Sequence, residues 1–188
     1  MRDLDRRGLI DIARLTGADT SVAQGVFEAN QALNNLKWLA VVGASNWDRL
    51  QADGLTYTVF PARWHGSMKL MRSGNKILFY VSRVGRIVAS AEIVGSPRRA
   101  NVVWPNGVYS YRVELKPELI VPPEEGAKFS TEVERLSFVS NKVQWEGSVR
   151  GAVRLLPLVD FKLLRDALLR SANAKPSKEK TRSGAVKD

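Results

Sequence analysis

The chain has 188 residues, 44% of them apolar, with 29 Lys and Arg against 19 Asp and Glu and a net charge of +10. That length allows one ordinary domain with appendages, and that apolar fraction supplies a core. With no cysteine and one histidine, His65, disulfides and thiolate metal sites are excluded, and a zinc site lacks its usual ligands.

In chain order, residues 3–16 and 20–34 read as two helices. Leu4, Leu9, Ile12, Ala13 and Leu15 mark one apolar face, and Val22, Val26, Phe27 and Leu33 another. Gly17-Ala18-Asp19-Thr20 breaks them, with Asp19 or Thr20 placed to cap the second. The spacing predicts a helical hairpin over 1–35, packed on the next domain or mediating self-association. From Leu36 the pattern changes to short strands. Residues 36–42 predict a buried strand, and 46–53 one or two helical turns ended by Gly54. Residues 76–82 predict a strand after a Ser-Gly-Asn turn, with 86–94 as its antiparallel neighbour through Val84-Gly85. Residues 109–115 alternate and should close before Pro117. Residues 158–169 predict an amphipathic helix with Leu158, Phe161, Leu164, Leu168 and Leu169 on one side. From Ser171 the composition predicts a disordered basic tail, 171–188. Short strands with few helices predict an α+β fold, a small, mostly antiparallel β-barrel with peripheral helices over 36–170. The apolar runs are strand-sized and the N-terminus lacks a secretory pattern, so the expected setting is cytoplasmic, without a membrane partner.

The charge is uneven. Residues 1–36 carry −1, 37–170 carry +8 and 171–188 carry +3. The middle of the chain therefore holds most of the field that attracts a polyanion. Aromatic residues are interleaved with that charge. Trp38 sits in an apolar run and reads as core, and Trp47 at a helix start can pack inward. Tyr57, Trp64 and Trp104 lie in segments rich in Gly, Pro, Arg and Asn, which predict loops. Loop aromatics beside arginines are stacking platforms for a base. Arg63, Lys69, Arg72, Arg98, Arg99 and Arg150 are the candidate phosphate contacts, set against the ordinary solvated surface that such cations also make.

Residues 136–164 give Phe138, then Asn141-Lys142, Trp145, Arg150-Gly151-Ala152 with Arg154 two residues on, and a Leu156-Pro157 step into the last helix. Before them come Trp38-Leu-Ala-Val-Val, Ser45-Asn46-Trp47, Gly54-Leu-Thr-Tyr57, Pro61-Ala-Arg-Trp-His65, Gly74-Asn75 and Ile77-Leu-Phe-Tyr80. This ordered set, from about residue 36 to 169, resembles EVE domains, small barrels of the PUA-like group related to YTH domains. It departs at Gly74-Asn75, where Gly-Asp is usual, and at Tyr57, where a tryptophan is common. The resemblance implies a pocket that reads one, often modified, base of DNA or RNA, with modified cytosine or adenine foremost. Tyr57 and Trp104 would form its walls, and Ser45 and Asn46 would meet the base edge. The base must leave its stack to be read there. Ser and Asn at that place are equally the residues that cap a helix. The expected partners are nucleic acid with a modified base and a nuclease or modification enzyme acting beside it.

No P-loop, Gly-x-Ser-x-Gly or His-Glu-x-x-His sequence is present. Neither catalytic residues nor a cofactor are expected. Two rival readings exist: a hydrolase like the related ASCH domains, with Lys69 or Lys76 set against Glu92, and a helix-turn-helix regulator through residues 9–30. The −1 charge of the N-terminal segment argues against the second.

Overall fold

Two apolar runs make the centre of the sheet. Lys37–Val42 (β1) and Lys76–Val81 (β3) are buried along most of their length, so they read as continuous apolar segments rather than alternating ones. They pair in parallel, from Lys37 opposite Lys76 to Val42 opposite Val81. A parallel pair cannot be joined by a tight turn. The crossover holds the helix Ala44–Ala52 (α1), the strand Tyr57–Phe60 (β2), a 3₁₀ turn Ala62–Trp64 and the short helix His65–Leu70 (α2). This computed structural model describes residues 31–174 together with Gly25 and Glu28.

The remaining elements are Arg86–Ile93 (β4), Arg98–Trp104 (β5), Gly107–Ile120 (β6), Ala127–Lys128 (β7), Val153–Leu156 (β8) and Leu158–Asn173 (α3). The strands form one curled sheet in the order β2-β6-β4-β3-β1-β8, with β5 on β6 and β7 on β4. The result is an α+β half-barrel with few helices. Strand β6 serves three partners: β5 along its first half, β2 at Tyr111–Glu114 and β4 beyond Leu115.

The strand predicted to close before Pro117 runs through it. Pro117 sits where the β4–β6 register shifts, between Ser90 and Ala91, and a bulge spares the ladder the donor that proline lacks. The segments around Tyr57 and 98–104 are strands, not loops. A register shift between Arg99 and Val102 and the paired arginines hide the alternation of β5. The last helix continues to Asn173, past the predicted start of the tail. It buries Phe161, Leu164, Ala167 and Leu168, while Leu158 is 47% exposed and lies off that face. The hairpin expected over 1–35, its role in self-association and the helix-turn-helix candidate 9–30 lie outside the described residues, apart from Gly25, Glu28 and residues 31–35, of which all but Asn35 are helical. So do residues 175–188 of the tail.

The order Phe138, Asn141-Lys142, Trp145 has a structural explanation. Asp160, 1% exposed, accepts hydrogen bonds from Ser137 N (2.9 Å), Ser137 Oγ (2.7 Å) and Phe138 N (2.9 Å). Asn141 Oδ1 accepts from Val143 N and Gln144 N. Lys142 donates to the carbonyls of Val133 and Leu136. Trp145 then packs 5.3 Å from Phe129, whose other neighbours are Tyr80 and Phe138.

Candidate nucleic-acid interface

β1 ends at Val42, and Gly43, in extended conformation, is the N-cap of α1. Ser45 and Asn46 therefore fall within the first turn of the helix, and no side chain caps it. The capping alternative is thus removed, and both side chains are free for other partners. Asn46 is 7% exposed. Its Nδ2 donates to the Tyr109 hydroxyl at 2.7 Å, and its Oδ1 is buried with no hydrogen-bond partner among the described residues. Turning the amide over would move the orphan to the nitrogen without removing it.

β5 and β6 meet at Trp104 opposite Gly107, so Pro105-Asn106 is a two-residue turn. That turn brings Asn106 back over α1, where its Nδ2 donates to Ser45 Oγ at 3.1 Å. Trp104 is buried, and its indole nitrogen, like those of Trp47 and Trp64, lacks a partner among the described residues. Its ring lies 5.5 Å from Tyr109 and 6.1 Å from Tyr57, centroid to centroid. Tyr57 donates its hydroxyl to Asp53 at 2.7 Å. The Arg112 guanidinium sits 3.8 Å above the Tyr57 ring and is held by Glu114, with Nε donating at 2.9 Å. The Tyr57 hydrogen bond holds the Asp53 carboxyl below its ordinary pKa, with Arg49 adding to the effect. The Arg112 hydrogen bond does the same for Glu114.

Of the four residues expected in the pocket, Tyr57 and Trp104 touch each other, Asn46 reaches Trp104 through Tyr109, and Ser45 is held by Asn106 of the adjoining turn; Tyr109, Asn106 and Arg112 were not placed there by the sequence reading. Their arrangement differs from the expectation in one respect. A base sandwiched between two rings needs parallel planes about 7 Å apart, twice a van der Waals contact. The planes of Tyr57 and Trp104 are inclined by 54°, so the rings lean on each other. Trp64 stands apart from this cluster. It is half-buried and covers Gly151, where a Cβ would come within 2.7 Å of its ring.

The six candidate cations divide. Lys69 and Arg72 from the α2 region face Arg99 of β5 across one cleft, beside His65 and Tyr111. Arg98 points the other way and is ion-paired with Glu114. Arg150 lines a separate groove with Arg154 and Trp64. Arg63 is exposed in the turn before α2. Of the residues in the hydrolase alternative, Lys76 does meet Glu92, at 2.6 Å, but also Glu118 at 2.6 Å. Burial would lower its pKa, yet the two carboxylates outweigh that and raise it. A lysine so held stays protonated and cannot act as a base. No helix among the described residues is long and apolar enough to cross a membrane.

No family model matches the chain. It is 29% identical over 145 residues to a UPF0310 protein of Pyrococcus abyssi (strain GE5 / Orsay), the match taking in 70% of this chain and 98% of that protein. Its structure is similar to the Mmi1 YTH domain in a crystal structure with RNA, at a TM-score of 0.53 and 10% identity, covering 74% of this chain and 81% of that one. A crystal structure of the Mmi1 YTH domain alone gives 0.51 at 10% identity, covering 73% and 98%. The fold is of the YTH/PUA-like type.

Proposed function

We propose that the chain is an EVE-type nucleic-acid-binding module that takes one modified base, turned out of its stack, against Ser45, Asn46, Tyr57 and Trp104. The observation that carries this reading is Asn46, a buried amide anchored at one end to Tyr109, whose ring packs on Trp104, and unpartnered at the other end. A buried polar atom without a partner costs about 1–3 kcal/mol, and the Trp104 indole nitrogen is another such atom, as are those of Trp47 and Trp64. A base edge offers both donors and acceptors and would satisfy such groups. The Arg112 guanidinium over the Tyr57 ring occupies the place where a base would stack. A stacked base would take its place and release Arg112 toward a phosphate.

The 29% identity to the UPF0310 protein and the fold shared with an RNA-bound YTH domain support this reading. Lys69, Arg72 and Arg99 would contact phosphate from one cleft, while Arg63, Arg98 and Arg150, which lie elsewhere on the surface, would contact other phosphates of the strand. The module performs no chemistry itself and serves a nuclease or modification enzyme that acts on the marked strand, DNA or RNA.

The test is fluorescence anisotropy with short strands of both nucleic acids bearing different modified bases, at fixed salt. Tyr57→Ala and Asn46→Ala should each weaken binding to the preferred modified strand by roughly 10- to 100-fold, since a stacked base is worth about 1–3 kcal/mol. Binding to unmodified strands should fall less. Equal losses on both would remove the pocket.

A further inference from the structure

On the other side of the β5–β6 ribbon lies a second site. Paired strand residues share a face and successive ones alternate. Arg98 is in register with Arg112, beside the aromatic cluster, whereas Arg99 is in register with Tyr111. Arg99, Tyr111 and His65 are shared by two adjoining lobes of one cleft, each about 270 Å³. Met68, Lys69, Arg72, Ser96 and Pro97 complete the first lobe. No carboxylate lines either lobe among the described residues. Lys69 and Arg99 form no ion pair there, while Arg98, one residue away, is neutralised by Glu114. Arg72 is fixed by donating to the carbonyls of Lys69 and Met71.

His65 Nδ1 and the Tyr111 hydroxyl lie 2.8 Å apart. If the imidazole accepts, its Nε2–H remains a donor; if it donates, the phenol O–H remains one. Either tautomer leaves a hydrogen free for a ligand. The cleft thus offers three cations and the His65–Tyr111 pair as a further donor. A phosphodiester inside a strand carries one charge on two unesterified oxygens. A terminal phosphate carries close to two charges on three oxygens, which matches this excess of cations better.

We infer that this cleft binds a phosphate monoester, either the phosphorylated end of a strand or a free mononucleotide. The inference stands on the cleft alone and holds whether or not the aromatic cluster reads a base. The test measures affinities for an oligothymidylate phosphorylated at the 5′ end, at the 3′ end or at neither, with thymidine 5′-monophosphate as competitor. One phosphorylated strand should bind about tenfold more tightly than the unphosphorylated one, as charge-assisted hydrogen bonds to an added oxygen imply. The ratio should fall to one in Arg99→Gln with Lys69→Gln and persist in Tyr57→Ala. Competition by the mononucleotide alone, lost in the same double variant, would identify free nucleotide as the source. Equal affinities for all three strands without competition would overturn the inference, as would a ratio unchanged in the double variant. Both substituted side chains are exposed, and an unchanged melting temperature checks that the variant is folded. Failure of the base pocket would show separately, as loss of discrimination between modified and unmodified strands with the terminal-phosphate ratio intact.

Discussion

Asn75 uses both ends of its amide. Oδ1 accepts from the Trp38 indole at 3.0 Å and from Arg72 N at 3.1 Å, and Nδ2 donates to the Leu33 carbonyl at 2.8 Å. An aspartate, the usual residue of this turn in the resembling domains, has no such donor. Asn75→Asp should cost about 2 kcal/mol, since it leaves the Leu33 carbonyl facing a buried carboxylate. A lower urea midpoint at unchanged slope would show it. Asp160→Ala should cost about 3 kcal/mol, because three donors lose one charged acceptor; the same titration measures it. The candidate residues Ser45, Asn46, Tyr57 and Trp104 were singled out through an ordered family pattern. Tyr109, Asn106 and Arg112 were not, because their contacts span the chain. Asn46 and Tyr109 are 63 positions apart, and no local spacing announces such a pair. The Pro105-Asn106-Gly107 turn was the one available signal, and it locates the hairpin without saying what Asn106 touches.

Elements whose apolar pattern was continuous or cleanly periodic were readable: β1, β3, β4 and α3. β2 and β5 were hidden, the first by its brevity and the second by its register shift and arginines. The order Phe, Asn-Lys, Trp in 136–149 identified the fold class although its side chains hold the closing segment together rather than forming the Tyr57–Trp104 cluster. Where that segment approaches β8, Gly151 has φ +96 and the Trp64 ring lies over it. Gly151→Ala brings backbone strain of about 1 kcal/mol or more and a clash that the ring must move to relieve. A fall in melting temperature with a red-shifted tryptophan emission would report the displaced indole.

At the scale of the molecule, pH dependence follows from the carboxylates. The pKa of Asp53 is held below its ordinary 3.8 by the Tyr57 hydrogen bond, and those of Glu92 and Glu114 below 4.5 by Lys76 and Arg112. Each adds stability that is complete above its ordinary value and lost as pH falls through its depressed folded value. Lys76 works in reverse, since its raised pKa gives stability that is complete below 10.5 and lost at higher pH. Melting temperature should therefore be flat near neutrality and drop on the acid side, with Glu114→Gln shallowing that drop. The β1–β3 pairing carries a further implication. Because those neighbours run in one direction, a return path is compulsory, and Ser45, Asn46 and Tyr57 all ride on it while the sheet's centre stays fixed to either side. Swapping the exposed positions of residues 43–60 for those of a homologue, with the buried Trp47, Leu50, Leu55, Val59 and Phe60 kept, should therefore transplant ligand preference and leave the unfolding curve nearly where it was.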